Sequence, residues 1–206
     1  DKLIKMAIKR DLTNFQITAT KGKLKKLLYA ASVSSKLIKY EMQNIVIIKY
    51  NAGNKESVKN ALSRLGITAE VTADHEKIRR ADKVIFPGVG EAGTTMEYLK
   101  NNHLDQLIKE LKQPVLGICL GLQLMCSSTE EGSTACLGIF DEKVKRFIPG
   151  EGQEYITKVP HMGWNSISDL KSLLFSKEME SSFVYFVHSY YAGIGEHTVA
   201  TCNYIV

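Results

Sequence analysis

The sequence predicts an α/β fold, a doubly wound and mostly parallel sheet flanked by helices. From Met42 to Cys126, short apolar runs alternate with longer helical stretches. Several of the runs are unbroken and rich in β-branched residues, as strands buried on both faces must be. Gly- and Asn-containing turns punctuate the junctions. Strand–helix–strand order of this kind builds a parallel sheet with right-handed crossovers.

The first run, Ile45-Val46-Ile47-Ile48, is a strand by this reading. The loop Asn51-Ala52-Gly53-Asn54 leads to a helix over Ser57–Leu65, closed by Gly66. A second strand is expected over Ile67–Val71, a short helix over Asp74–Arg80 and a third strand over Lys83–Phe86. Helix-forming sequence then runs from Glu91 to Lys112, with a break at Asn101-Asn102, and Pro114–Ile118 makes a fourth strand. Beyond Gly138 shorter strands are expected over Lys143–Phe147, Ser182–Val187 and His197–Tyr204. There is no internal repeat.

The 206 residues suit one domain, and 44% hydrophobic with 24% charged residues is enough to bury a full core. The longest apolar stretch, Pro114–Cys126, is too short for a bilayer span of roughly 20 residues, so no membrane is expected. The net charge of +5 is unevenly placed. Residues 1–41 hold ten Lys/Arg against three Asp/Glu, leaving 17 against 19 in the remainder. The body thus has no footprint for nucleic acid. Residues 1–41 read as a basic leader outside the fold, with 42–206 as the domain. Lys23–Tyr40 has the apolar spacing of a helix, so an amphipathic helix, a transit peptide or part of a neighbouring domain stay open. Cys119, Cys126, Cys136 and Cys202 form no CxxC pair and have no His at metal-ligand spacing. No metal or cofactor is expected, and a reduced, cytoplasmic setting fits best.

Gly117-Ile118-Cys119-Leu120-Gly121 ends the fourth strand with the G-x-nucleophile-x-G pattern of a nucleophile elbow, with Cys in place of Ser. A nucleophile on a strained strand-to-helix turn needs small neighbours two residues away. The helix starting behind it turns free N–H groups toward the sulfur, which favours thiolate and supplies donors for an oxyanion. By itself the pentapeptide is equally a structural cysteine between packing glycines; its place at a strand end favours function. Pro87-Gly88-Val89-Gly90, at the end of the third strand, can bring further N–H groups beside it. It matches neither phosphate-loop pattern, which disfavours nucleotide binding.

Val159-Pro160-His161-Met162-Gly163-Trp164-Asn165 and Tyr185-Phe186-Val187-His188-Ser189-Tyr190 are two further distinctive segments. With Asn51–Asn54, Pro87–Gly90 and Leu116–Met125 they resemble, over residues 42–206, the class I (triad-type) glutamine amidotransferases. Within these they look most like the glutaminase subunits of imidazole glycerol phosphate synthase. The resemblance implies a flavodoxin-like fold and a chain that hydrolyses glutamine through a thioester on Cys119. It implies an oxyanion held by Leu120 N–H and a donor from Gly88–Gly90, and glutamine gripped by Gln123, Glu131 and backbone near Ser189 and Tyr190. Pro160, His161, Met162, Gly163, Trp164, Tyr185 and His188 would face a cyclase partner in a heterodimer, which takes the ammonia for histidine biosynthesis. Read as structure alone, Trp164 and Tyr185-Phe186 are core aromatics, His161 and His188 hydrogen-bonded structural groups, and Glu131 a solvated charge.

Two departures stand out. Lys49 replaces the acidic or small residue usual in the family, and the sequence ends before the His-Pro-Glu segment that completes the family's triad. The expectation is a C-terminally truncated domain, inactive as it stands. The alternatives are a glutaminase of a different synthase (guanylate, anthranilate or pyridoxal phosphate), a non-catalytic binding subunit, and a Cys-type α/β hydrolase, which lacks a later Asp…His pair.

Overall fold

The computed structural model describes residues 6–9, 44–150, 158–171 and 174–205. Its centre is a five-stranded sheet in the order β1-β5-β4-β2-β3. The strands are β1 (Met6–Lys9), β2 (Ile45–Ile48), β3 (Ala69–Thr72), β4 (Lys83–Gly88) and β5 (Val115–Cys119). β2, β3, β4 and β5 are mutually parallel, whereas β1 runs antiparallel to β5 along its free edge. That edge strand falls in the basic N-terminal segment. The helical pattern at Lys23–Tyr40 lies outside the described residues.

Among the described residues, five helices connect and cover the strands: α1 (Lys55–Arg64), α2 (His75–Arg80), α3 (Ala92–Asn101), α4 (Leu104–Glu110) and α5 (Leu120–Met125). Local chemistry sets their starts. Asn54 and Asp74 accept hydrogen bonds from the first-turn N–H groups of α1 and α2, and Glu91 does so for α3. The expected break comes one residue beyond Asn101-Asn102, where His103 takes a left-handed φ of 54° and starts α4.

The two faces of the sheet carry separate cores, as the two-residue strand period requires. Val46, Ile48, Val84, Phe86 and Val115 pack with α2 to α5, and Ile45, Ile47, Ile85 and Leu116 pack with Leu62 of α1. Both sets are buried, which is why these strands read as unbroken apolar runs.

Smaller sheets follow. β6 (Ser128–Thr129), β7 (Thr134–Ala135), β8 (Lys143–Arg146) and β11 (Tyr190–Ala192) form one, in the order β11-β8-β6-β7. β9 (His161–Ser166) and β10 (Phe183–His188) form a two-stranded antiparallel ribbon. The strand expected over His197–Tyr204 does not form, and a single bridge, Ser168 to Thr201, stands in its place. Thr198 and Gly195 close a turn on each other, and Glu142 accepts from His197 N, so the start of this segment is satisfied locally rather than by a ladder.

α5 lies against the ends of β4 and β5 at a distance only glycine permits. A Cβ on Gly121 would stand 1.9 Å from the Phe86 carbonyl oxygen. Gly121→Ala should therefore cost about 3 kcal/mol, the upper end of overpacking costs; an unchanged chemical-denaturation midpoint would show that the helix can move away freely.

Candidate active site

Cys119 ends β5, and Leu120 opens α5 directly behind it. Its φ of 53° and ψ of −116° lie where L-residues are strained, as an elbow between a buried strand and a tightly packed helix demands. Surrounding contacts hold the strain in place. Gly88 is the register partner of Cys119 across the β4–β5 pair, and a Cβ on Gly88 would meet Gly121 N at 2.3 Å. A Cβ on Gly117 would meet Met125 Sδ at 2.8 Å. The two glycine motifs are thus one packed unit. Val89 and Gly90 continue past it as an exposed turn, with Gly90 at a φ of 118°.

Sequence reasoning missed Tyr50, just beyond the end of β2. It is buried against Phe86, and its hydroxyl donates to the Pro87 carbonyl at 2.5 Å. Burial, and to a lesser degree the nearby Cys119 charge, hold this phenol well above the usual tyrosine range, so it stays a donor. An aromatic at the mouth of the Asn51–Asn54 loop was visible, but its contact lies 37 residues away.

The fold brings Gln123 and Tyr190 together: Gln123 Nε2 donates to the Tyr190 carbonyl at 3.0 Å. His188 Nδ1 lies 2.7 Å from the same oxygen. Ser189 gives its carbonyl to Phe147 N–H. Gln123 is buried, and its other amide atom, Oε1, is an acceptor.

The ribbon residues divide by face. Met162 and Trp164 are 61% and 59% exposed, opposite Val187 and Tyr185, with Phe183 at 66% beyond them. Pro160 is exposed, with Gly163 and Tyr185 half-buried. His161 points inward, stacked on Phe186 at 4.7 Å and on Tyr204 at 3.7 Å. His188 is half-buried, with Phe147 at 5.2 Å.

A profile of class-I glutamine amidotransferases matches residues 46–202. The chain is 61% identical over 161 residues to imidazole glycerol phosphate synthase subunit HisH of Bacteroides fragilis, covering 78% of this chain and 81% of that one. It is 45% identical over 164 residues to subunit HisH of Haemophilus influenzae, covering 79% and 80%. The chain belongs to the class-I glutamine amidotransferase family. A crystal structure of a glutamine amidotransferase superposes with a TM-score of 0.55 at 18% identity, covering 75% of this chain and 78% of that one, and so shares the fold.

Two carboxylates meet the start of α3. Glu91 accepts from Gly93 and Thr94 N–H, which lowers its pKa. Glu131 Oε2 accepts from Ala92 N–H at 3.0 Å, tying the loop after β6 to the helix that follows the Gly88–Gly90 turn. Burial raises the Glu131 pKa, the Ala92 N–H opposes it, and the Glu91 charge adds to the rise. Among the described residues no His/Cys/Asp/Glu group could hold a metal ion, and no disulfide joins any of the four cysteines. Burial, with the Glu131 charge, pushes the Cys136 thiol up to about 11, which keeps it protonated and unreactive.

The sign of the Glu131 shift gives a test. A carboxyl with a raised folded pKa contributes stability that is complete below its unfolded pKa and is lost as pH rises through the folded one. Glutamine at this position keeps an oxygen for Ala92 N–H and never ionises. Glu131→Gln should raise Tm by about 2 °C near neutral pH and lose that advantage near pH 4; a Tm difference that does not change with pH would contradict the assignment.

Proposed function

We propose that this chain is the glutaminase subunit of an imidazole glycerol phosphate synthase, feeding ammonia to a cyclase partner in histidine biosynthesis. The observation that carries the chemistry is the strained Cys119 elbow with Gly88 in register beside it. The likeness to the HisH subunits supports the choice of pathway.

The reaction follows from this geometry. The Cys119 sulfur adds to the side-chain amide carbon of glutamine, and the carbonyl oxygen becomes an oxyanion. Leu120 N–H, at the start of α5, and a donor from Gly88–Gly90 stabilise that charge, a contribution worth about 3 kcal/mol per donor in such sites. The C–N bond then breaks, the nitrogen leaves as ammonia carrying the proton that the Cys119 thiol gave up, and a thioester remains. Water cleaves the thioester to give glutamate and free thiol. Gln123 Oε1 accepts from the α-ammonium of glutamine, and Glu131 adds a negative charge at the same end. No metal or cofactor takes part. The protein works in the cytoplasm, where free thiols persist.

The exposed face of the ribbon is the docking surface for the cyclase. Trp164, Tyr185, Met162, Val187 and Phe183 form a patch of the aromatic and Met composition that interface cores favour. His161, on the opposite face, stacks on Phe186 and meets Phe147 edge-on at 6.3 Å, which ties the ribbon to the chain after β8.

Two measurements test this. In full-length protein saturated with its cyclase and acceptor nucleotide, glutamine hydrolysis should be stimulated strongly, and Cys119→Ala should lower it at least about 10⁴-fold. Hydrolysis indifferent to cyclase would remove the pathway, and hydrolysis surviving Cys119→Ala would remove the mechanism. Trp164→Ala should weaken cyclase binding about 30-fold, as loss of a buried aromatic anchor does, with unchanged Tm; undiminished affinity in a calorimetric titration would place the interface elsewhere.

A further inference from the structure

Among the described residues, β4 faces β5 with one set of backbone groups and β2 with the other. Val84 N–H donates to Pro114 on the β5 side, and Lys83 N–H donates to Asn44 on the β2 side. By this alternation the Pro87 carbonyl points toward β2. The β2–β4 pairing ends at Ile47 and Ile85, so this carbonyl lies beyond the last rung of the ladder, in a fully buried strand. A buried carbonyl needs a donor. Tyr50 provides it, reaching back from just beyond the end of β2.

The consequence reaches Cys119 through one peptide unit. A planar trans peptide places its N–H opposite its carbonyl. Fixing the Pro87 oxygen toward β2 therefore fixes the Gly88 N–H toward β5, where Cys119 stands in register. It also fixes the base from which the Gly88–Gly90 turn departs. Tyr50 is itself secured: its ring packs on Phe86 at 5.6 Å and Tyr98 at 6.5 Å, and Lys55 Nζ holds the Tyr50 and Ala52 carbonyls at 3.0 and 3.3 Å. Gly53 leaves the space for this loop, since a Cβ there would stand 3.0 Å from the Pro87 oxygen.

We propose that Tyr50 is a positioning residue for the glutaminase reaction, its buried hydroxyl orienting through Pro87 the turn that donates N–H groups to the oxyanion beside Cys119. This rests on the glutaminase reading. Tyr50 touches no substrate; it acts through the Pro87–Gly88 peptide. Its hydroxyl stays a neutral donor because burial and the Cys119 charge both oppose its ionisation.

The test is Tyr50→Phe, which keeps the ring packing and removes one oxygen, in the full-length protein bound to its cyclase. Turnover should fall about 10-fold while KM for glutamine stays within about twofold, the split expected for an interaction felt only in the transition state. The γ-aldehyde of glutamate supplies a second reading. The Cys119 thiol adds across its C=O, a C–S bond forming and the oxygen taking the proton, to give a tetrahedral adduct that needs the same donors. Its affinity should fall about 10-fold while that of the product glutamate is unchanged. Unchanged turnover and aldehyde affinity would overturn the proposal. So would equal losses for aldehyde and glutamate with a lowered Tm, which mark a merely structural role. Should Tyr50→Phe not fold, Lys55→Ala loosens the same loop from its surface side. It should show the same split at about threefold, and its absence would overturn the proposal. A wild-type complex without glutaminase activity sinks the glutaminase reading and this one with it. An active wild type with an indifferent Phe variant sinks only the role of Tyr50.

Discussion

The site depends on one close approach, the N-terminus of α5 pressed onto the end of β4 with no methyl group between them. Gly88 and Gly121 make that contact from opposite sides, and Gly117 makes a matching one beneath Leu122 and Met125. With the helix held so near the sheet, the chain has only one residue in which to turn from β5 into α5. That residue is Cys119, and its unusual backbone angles are what remains when both flanking elements are immovable. The strand register then decides what lies next to the sulfur. Parallel pairing sets Gly88 alongside Cys119, and a register one residue different would present the opposite set of backbone groups. Packing of absent side chains thus becomes placement of N–H donors.

Around this unit the polar groups mostly restrain one another. The Tyr190 carbonyl meets both Gln123 Nε2 and His188 Nδ1. A carbonyl oxygen has two lone pairs, so these contacts leave it little capacity for a further donor. The link also joins α5 to the chain that continues from the ribbon, because β11 follows β10 after a single residue. On the far side, Glu131 and Glu91 share the start of α3, one carboxylate pushed up and the other down. Exposed Glu91 gains two N–H donors with little desolvation, whereas half-buried Glu131 loses water and gains one.

How far this was legible in the sequence varied with the source of each element's stability. The runs Ile45–Ile48, Lys83–Phe86 and Pro114–Ile118 were readable because burial on both faces leaves an unbroken apolar record. The elbow was readable because glycine spacing reports sterics directly. His161–Ser166 carried no strand pattern: its His, Gly and Asn are weak strand formers, and it is a strand through pairing with Phe183–His188. His197–Tyr204 failed in the reverse direction, since its Thr, Val and Tyr residues favour strand while Gly195 and Glu142 draw its start into a turn. Tyr50 was invisible because its partner is a backbone atom, which no side-chain pattern records. The resemblance set His161 with Met162 facing a partner, but the two-residue period sends its side chain inward.

The ribbon has a further consequence. Its outward face shows Phe183, Trp164, Met162 and Val187 together, and among the described residues its two strands form a ladder only with each other. Bare apolar surface is what self-association and aggregation begin from. Solubility is therefore limited by these exposed side chains, and whatever covers that face also protects the chain against clumping.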